Sequence, residues 1–202
     1  MPASDTPAAA DSDQFEMRRL ESLSNTIFGV AMTLLAYDLP KAGEFTSLPG
    51  WADLYHAYAG RLSGLALSFI IAGVFWFSHH RRLARQPMCG RGVVMLNLIF
   101  LLSIILLPVT NGLYGSYGRS SAVAVLYGLN LTAIAGLNAW LWWLITRRGR
   151  NPELIGALFP VLVFVPGTVV AAIAPPYAPY FWTLAFGGLL VRRFYRVDAG
   201  SD

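Results

Sequence analysis

Charge is scarce in this 202-residue chain, and cysteine scarcer still. Acidic and basic residues make up 13% of it, against roughly 25% in an ordinary soluble domain. Too few charges are present to clothe a soluble surface. The lone Cys89 excludes an internal disulfide, though not one between subunits. No Cys/His cluster suggests zinc. No Asp or Glu falls in the middle of an apolar block, so a carboxylate-based proton path or antiporter site has no residues to use.

What is present is apolar. Hydrophobic residues reach 55% and the mean hydropathy is +0.52, in blocks near the ~20-residue length of a bilayer crossing. The chain reads as an all-α membrane protein with six transmembrane helices and short loops. Residues 1–16 are small, polar and acidic. They have neither the basic start nor the apolar middle of a secretory signal, so a disordered tail is expected. Residues 17–197 form the six-helix domain and 198–202 a short tail.

The spans are expected at Leu23–Leu39, Leu54–His79, Val93–Tyr114, Ala122–Ile145, Leu154–Ile173 and Tyr180–Tyr195. Pro108 should kink or locally open the third, and Pro160 and Pro166 the fifth. The Trp140, Trp142 and Trp143 cluster suits a membrane interface. Twelve arginines fall on one side of this layout: Arg18 and Arg19, then Arg81, Arg82, Arg85 and Arg91, then Arg147, Arg148 and Arg150, then Arg192, Arg193 and Arg196. The other side holds Lys41, Arg61 and Arg119. The bias alternates with every crossing, which places both termini in the cytoplasm. It also assigns the net charge of +4 to membrane anchoring rather than to nucleic acid.

The first span is the least lipid-like. Arg19 and Glu21 lead into a helix that still carries Ser24, Asn25, Thr26 and Thr33, and polar groups at membrane depth need protein or water as partners. At about 100° per residue, Val30, Thr33, Leu34 and Tyr37 share one face, while Ser24 and Asn25 lie roughly 120° and 140° from Val30. The stripe fits helix packing, lipid contact, or a pore whose apolar rings gate by dewetting with the Thr33 hydroxyl beside the ion. Ser24 and Asn25 fit either helix capping or a network with Arg19, Trp76, His79 and Asn97, which fall at the same depth.

Other signals are weaker. Adjacent His79 and His80 point about 100° apart on a helix, poor geometry for sharing a metal. A membrane enzyme using either as base would lack a paired carboxylate, an activated nucleophile or a metal set. Asp38 and Asp53, at outer helix ends, could concentrate cations at a mouth. Asn97, Asn130 and Asn138 suit interhelical hydrogen bonding, and Gly128, Thr132 and Gly136 a small-residue packing face. Tyr114–Gly118, YGSYG, is superficially like a potassium filter, but it lacks the Thr-Val-Gly-Tyr-Gly string and a pore helix.

Three stretches together carry a resemblance. Arg19-Leu20-Glu21-Ser22-Leu23-Ser24-Asn25 resembles the Arg-x-x-x-Phe-Ser-Asp signature that opens the first helix of the transmembrane-protein-175 potassium channel family in its bacterial form. Ser68-Phe69 with Trp76-Phe77-Ser78-His79-His80-Arg81 is similar to its second helix. Asn97-Leu98-Ile99-Phe100-Leu101 with Leu107-Pro108 is similar to its third. The resemblance implies a homotetramer in the plasma membrane, with no cofactor and K⁺ as permeant ion. Its first helices would line the pore: Val30 as main constriction, Leu34 and Tyr37 further outward, and Thr33 as selectivity hydroxyl. Arg19, Ser24, Asn25, Trp76, His79 and Asn97 would hold that helix in register. Leu23 stands where the family has Phe, and Asn25 where it has Asp, losing a charge. Tyr37 is bulky for a site that is usually aliphatic. A non-conducting scaffold, disabled by Asn25, is the alternative expectation.

Overall fold

The structure is a computed structural model that describes residues 14–83, 88–145 and 152–187. The chain forms α1 (Met17–Leu34) with a 3₁₀ extension Leu35–Asp38, then α2 (Trp51–Leu83), α3 (Arg91–Tyr117), α4 (Ser121–Ile145), α5 (Pro152–Ile173) and α6 (Ala178–Thr183). It is a mostly helical membrane protein. Among the described residues four helices are long and apolar enough to cross a membrane: α2, α3, α4, and α5 over Leu154–Ile173.

α1 starts earlier than its apolar run. Met17 and Leu20 are buried with Leu83 and Cys89, which extends the helix two turns before Leu23. At its start a short strand β1 (Gln14–Glu16) pairs antiparallel with β2 (Met88–Gly90), Phe15 opposite Cys89. Gln14–Glu16, expected in a disordered tail, are therefore a strand instead; positions 1–13 lie outside the described residues. The expected sixth span is described as α6 and a 3₁₀ turn at Leu184–Phe186, and its remainder lies outside the described residues.

The prolines leave their helices unbroken. α3 runs through a buried Pro108, and α5 through Pro160 and Pro166. The core collects Phe28, Ala31 and Leu35 from the first segment, Ile71 and Phe75 from α2, Phe100 and Ile104 from α3, Leu131 and Ile134 from α4, Phe164 from α5 and Trp182 from α6. A small residue allows close packing: Gly128 of α4 faces the Thr168 side chain of α5 so tightly that a Cβ would stand 2.6 Å from its hydroxyl. Trp142 corrects the interface expectation for its cluster. It is buried and donates to Ser78 Oγ at 3.1 Å, while Trp140 and Trp143 are exposed.

Candidate pore helix and its supporting network

α1 presents two unlike sides. Leu20, Ser24, Phe28, Ala31 and Leu35, at spacings of three and four, are buried in the subunit. Opposite them, Val30 is 53% exposed, Leu34 46% and Tyr37 67%, and Thr33 is exposed as well. The expected face therefore exists and is turned away from the subunit's own helices. No charged residue lies between Glu21 and Asp38, so the face is apolar apart from hydroxyls. Thr33 Oγ1 donates its proton to the Val30 carbonyl at 2.7 Å, which leaves the oxygen's lone pairs free to accept.

The helix start at Met17 removes the capping reading of Ser24 and Asn25, because both stand inside the helix, beyond its first turn. Ser24 is fully buried, donates to the Leu20 carbonyl at 2.7 Å and accepts from Asn97 Nδ2 at 3.2 Å. Asn25 Oδ1 accepts from Trp76 Nε1 at 2.9 Å. Trp76 stacks on His80, with ring centroids 5.9 Å apart, and His80 Nδ1 meets Glu21 Oε1 at 2.8 Å. Among the described residues, two polar ties thus join α1 to α2, and one joins it to α3. Arg19 is not gathered into this set: it is exposed and pairs with Glu16 at 3.3 Å.

His79 is buried against Phe100 and Phe28, with centroids 5.3 and 5.8 Å away. Its partner is one the sequence reading misplaced. Arg82, expected as a membrane anchor, is completely buried; it donates to His79 Nδ1 from Nη2, and to Asn138 Oδ1 at 2.7 Å from Nη1. The signal was its spacing: residue 82 lies three after 79, on the same helical face. Of the other arginines assigned as anchors, Arg85, Arg147, Arg148, Arg150, Arg192, Arg193 and Arg196 lie outside the described residues.

The remaining amides are interhelical, as expected. Asn130 Nδ2 donates to the Ser103 carbonyl at 3.0 Å, and its Oδ1 accepts from Thr110 at 3.2 Å. Sequence reasoning missed Asn111 and Tyr127, which both bond Ser68 Oγ at 2.7 Å in the buried centre. At the far end of α1 the acids are engaged locally. Asp53 accepts from the Gly50 amide at 2.8 Å, and the Asp38 carboxylate lies over Gly112. The YGSYG stretch closes α3, with Tyr114–Tyr117 in the helix and Gly118 as its C-cap. No group of three or more His, Cys, Asp or Glu side chains suited to a metal occurs among the described residues.

Comparison with known proteins gives a consistent answer. The sequence model of the family described as endosomal/lysosomal potassium channel TMEM175 matches residues 19–108, from α1 into α3. A potassium channel of Streptomyces collinus is 31% identical over 144 residues, 67% of this chain and 67% of its own length. A potassium channel of a Chryseobacterium species is 26% identical over 141 residues, 69% of this chain and 71% of its own. The crystal structure of a lysosomal potassium-selective channel TMEM175 homolog from Chamaesiphon minutus shares the fold with a TM-score of 0.75 at 19% identity, over 86% of this chain and 96% of that one. A variant of the potassium channel MtTMEM175, solved with a nanobody–MBP fusion, aligns over the whole of both chains with a TM-score of 0.55 at 16% identity.

Proposed function

This chain belongs to the TMEM175 family, a family of ion channels rather than enzymes, and from that premise we propose a potassium-preferring leak channel whose pore is lined by α1 of each subunit. Four copies of a six-span subunit would surround one axis in the plasma membrane, with both termini cytoplasmic. The observation that carries the reading is the exposed face Val30, Thr33, Leu34 and Tyr37, turned away from the buried stripe of its own helix. An α-helix of 18 residues is about 27 Å long, close to the ~30 Å hydrocarbon thickness, so a ring of such helices can span the membrane.

The mechanism follows from what those side chains offer. Val30 and Leu34 form apolar rings that force an ion to shed water. Thr33 supplies an oxygen ring one turn from Val30 that repays part of that cost. K⁺ passes in preference to Na⁺ because its hydration shell is held less tightly, without carbonyl cages and without a cofactor. Ser24, Asn25, Trp76, His79 and Asn97 keep the rings in register from the basic end of the bundle. Asn25 still accepts from Trp76, which argues against the disabled-scaffold reading. Flux into liposomes under opposed K⁺ and Na⁺ gradients tests the proposal. Faster K⁺ flux supports it, and membranes tight to both ions overturn it.

A further inference from the structure

Arg82 stands in the last turn of α2 with no exposed surface, and none of the ion pairs among the described residues includes it. A buried guanidinium without a counter-ion is tolerated only where fixed acceptors meet its donors. Asn138 gives it two on α4, Oδ1 at 2.7 Å and the backbone carbonyl at 3.3 Å, and the Phe100 ring centroid lies 5.7 Å from its Cζ. The third acceptor is His79 Nδ1, while the guanidinium's Nε is buried without a partner among the described residues.

That last contact fixes more than a position. A guanidinium has only donors, so Nδ1 must present its lone pair. His79 is therefore a neutral imidazole with its proton on Nε2. Among the described residues this Nε2 has no partner, and neither does Asn97 Oδ1; both atoms are buried. One is a donor and the other an acceptor. The His79 ring stacks on Phe100, one turn along α3 from Asn97, and packs on Phe28, one turn along α1 from Ser24. Asn97 in turn donates to Ser24 of α1.

We propose that Arg82 is a positioning residue for α1: anchored to α4 by Asn138, it selects the Nε2–H form of His79, whose free donor is matched to the free Asn97 acceptor beside Ser24. With the proton on Nδ1 instead, the ring would offer no donor at Nε2 and the buried Asn97 acceptor would stay unmatched, so Arg82 adds an indirect tie to those that Trp76, His80 and Asn97 already make to α1. The effect on conduction rests on the reading of α1 as the pore helix; the effect on His79 does not.

The test is ¹⁵N NMR of histidine-labelled protein in bilayers at neutral pH, with the His79 signal assigned by its loss in His79→Gln. The expected native spectrum shows protonation at Nε2 alone. In Arg82→Met the Nδ1–H form should appear. A spin-label distance between Ser22→Cys on α1 and Trp140→Cys on α4, in a Cys89→Ser background, should then shift or broaden by on the order of one residue's rise, about 1.5 Å. Arg82→Lys, which keeps one donor, should restore much of the native spectrum. A native His79 protonated at Nδ1 overturns the assignment, and so does Arg82→Met in which either the tautomer or the α1–α4 distance is unchanged. Flux on the same samples separates the two ideas. A moved α1 with unaltered K⁺/Na⁺ flux keeps the role of Arg82 and removes the pore from α1.

Discussion

Trp76 donates its indole N–H to Asn25 Oδ1 across 2.9 Å, joining α2 to α1 through an amide where the family signature has a carboxylate. An amide oxygen accepts as a carboxylate does, so the tie survives the loss of charge. Asn25→Asp should therefore leave liposome K⁺ flux within a few-fold of the parent. Trp76→Phe keeps the ring and removes the donor; it should cost about 1 kcal/mol and lower flux more than Asn25→Asp does. A silent parent awakened by Asn25→Asp would contradict this account.

The Ser24–Asn97 bond is buried on both sides, whereas the Glu21–His80 pair is partly open to solvent. Ser24→Ala leaves the Asn97 amide without its acceptor and should destabilise by about 1–3 kcal/mol. Glu21→Gln should cost under about 1 kcal/mol. Melting in detergent checks the order. A double-mutant cycle of Ser24→Ala with Asn97→Leu should show coupling, since the second change removes the group that the first strands.

Much of this was legible in the chain. The spacing of Val30, Thr33, Leu34 and Tyr37 gave the face that the structure leaves exposed, and Ser24, Asn25, Trp76 and Asn97 gave the ties. Arg82 was not, because a rule that counts basic residues near helix ends treats every arginine as a membrane anchor. Its burial depends on Asn138, 56 residues later. The start of α1 was also hidden. Met17 and Leu20 pack on Leu83 and Cys89, partners that no window on the first span contains.

Gly128 of α4 packs directly on Thr168 of α5. A methyl group there would meet the Thr168 hydroxyl at 2.6 Å and its Cβ at 3.1 Å. Gly128→Ala should destabilise by about 1–3 kcal/mol through overpacking, read as a lower melting temperature. Adding Thr168→Ala removes the hydroxyl and methyl in the way and should recover part of the loss.

Cys89 lies outside the spans, in β2, buried and directed at the Phe15 carbonyl, with sulfur to oxygen 3.6 Å. Burial pushes its thiol pKa up, so less thiolate exists at any given pH, and alkylation quickens only as pH climbs towards the raised value. Maleimide labelling at pH 8 should be on the order of tenfold slower in the folded protein than in SDS. Removing residues 1–16 should narrow the difference, because it removes β1 while Met17, Leu20 and Leu83 still pack on the thiol. Equal rates in the intact protein would contradict the strand pairing.

The central claim is that the exposed face of α1 meets the permeating ion. The direct measurement is thiol block of K⁺ flux in a Cys89→Ser background, with single cysteines placed at Val30, Leu34 and, as the buried control, Phe28. The account predicts that a water-soluble, thiol-reactive cation shuts flux through Val30→Cys and Leu34→Cys and spares Phe28→Cys. Unblocked flux at both Val30→Cys and Leu34→Cys, with labelling verified by mass, would contradict it.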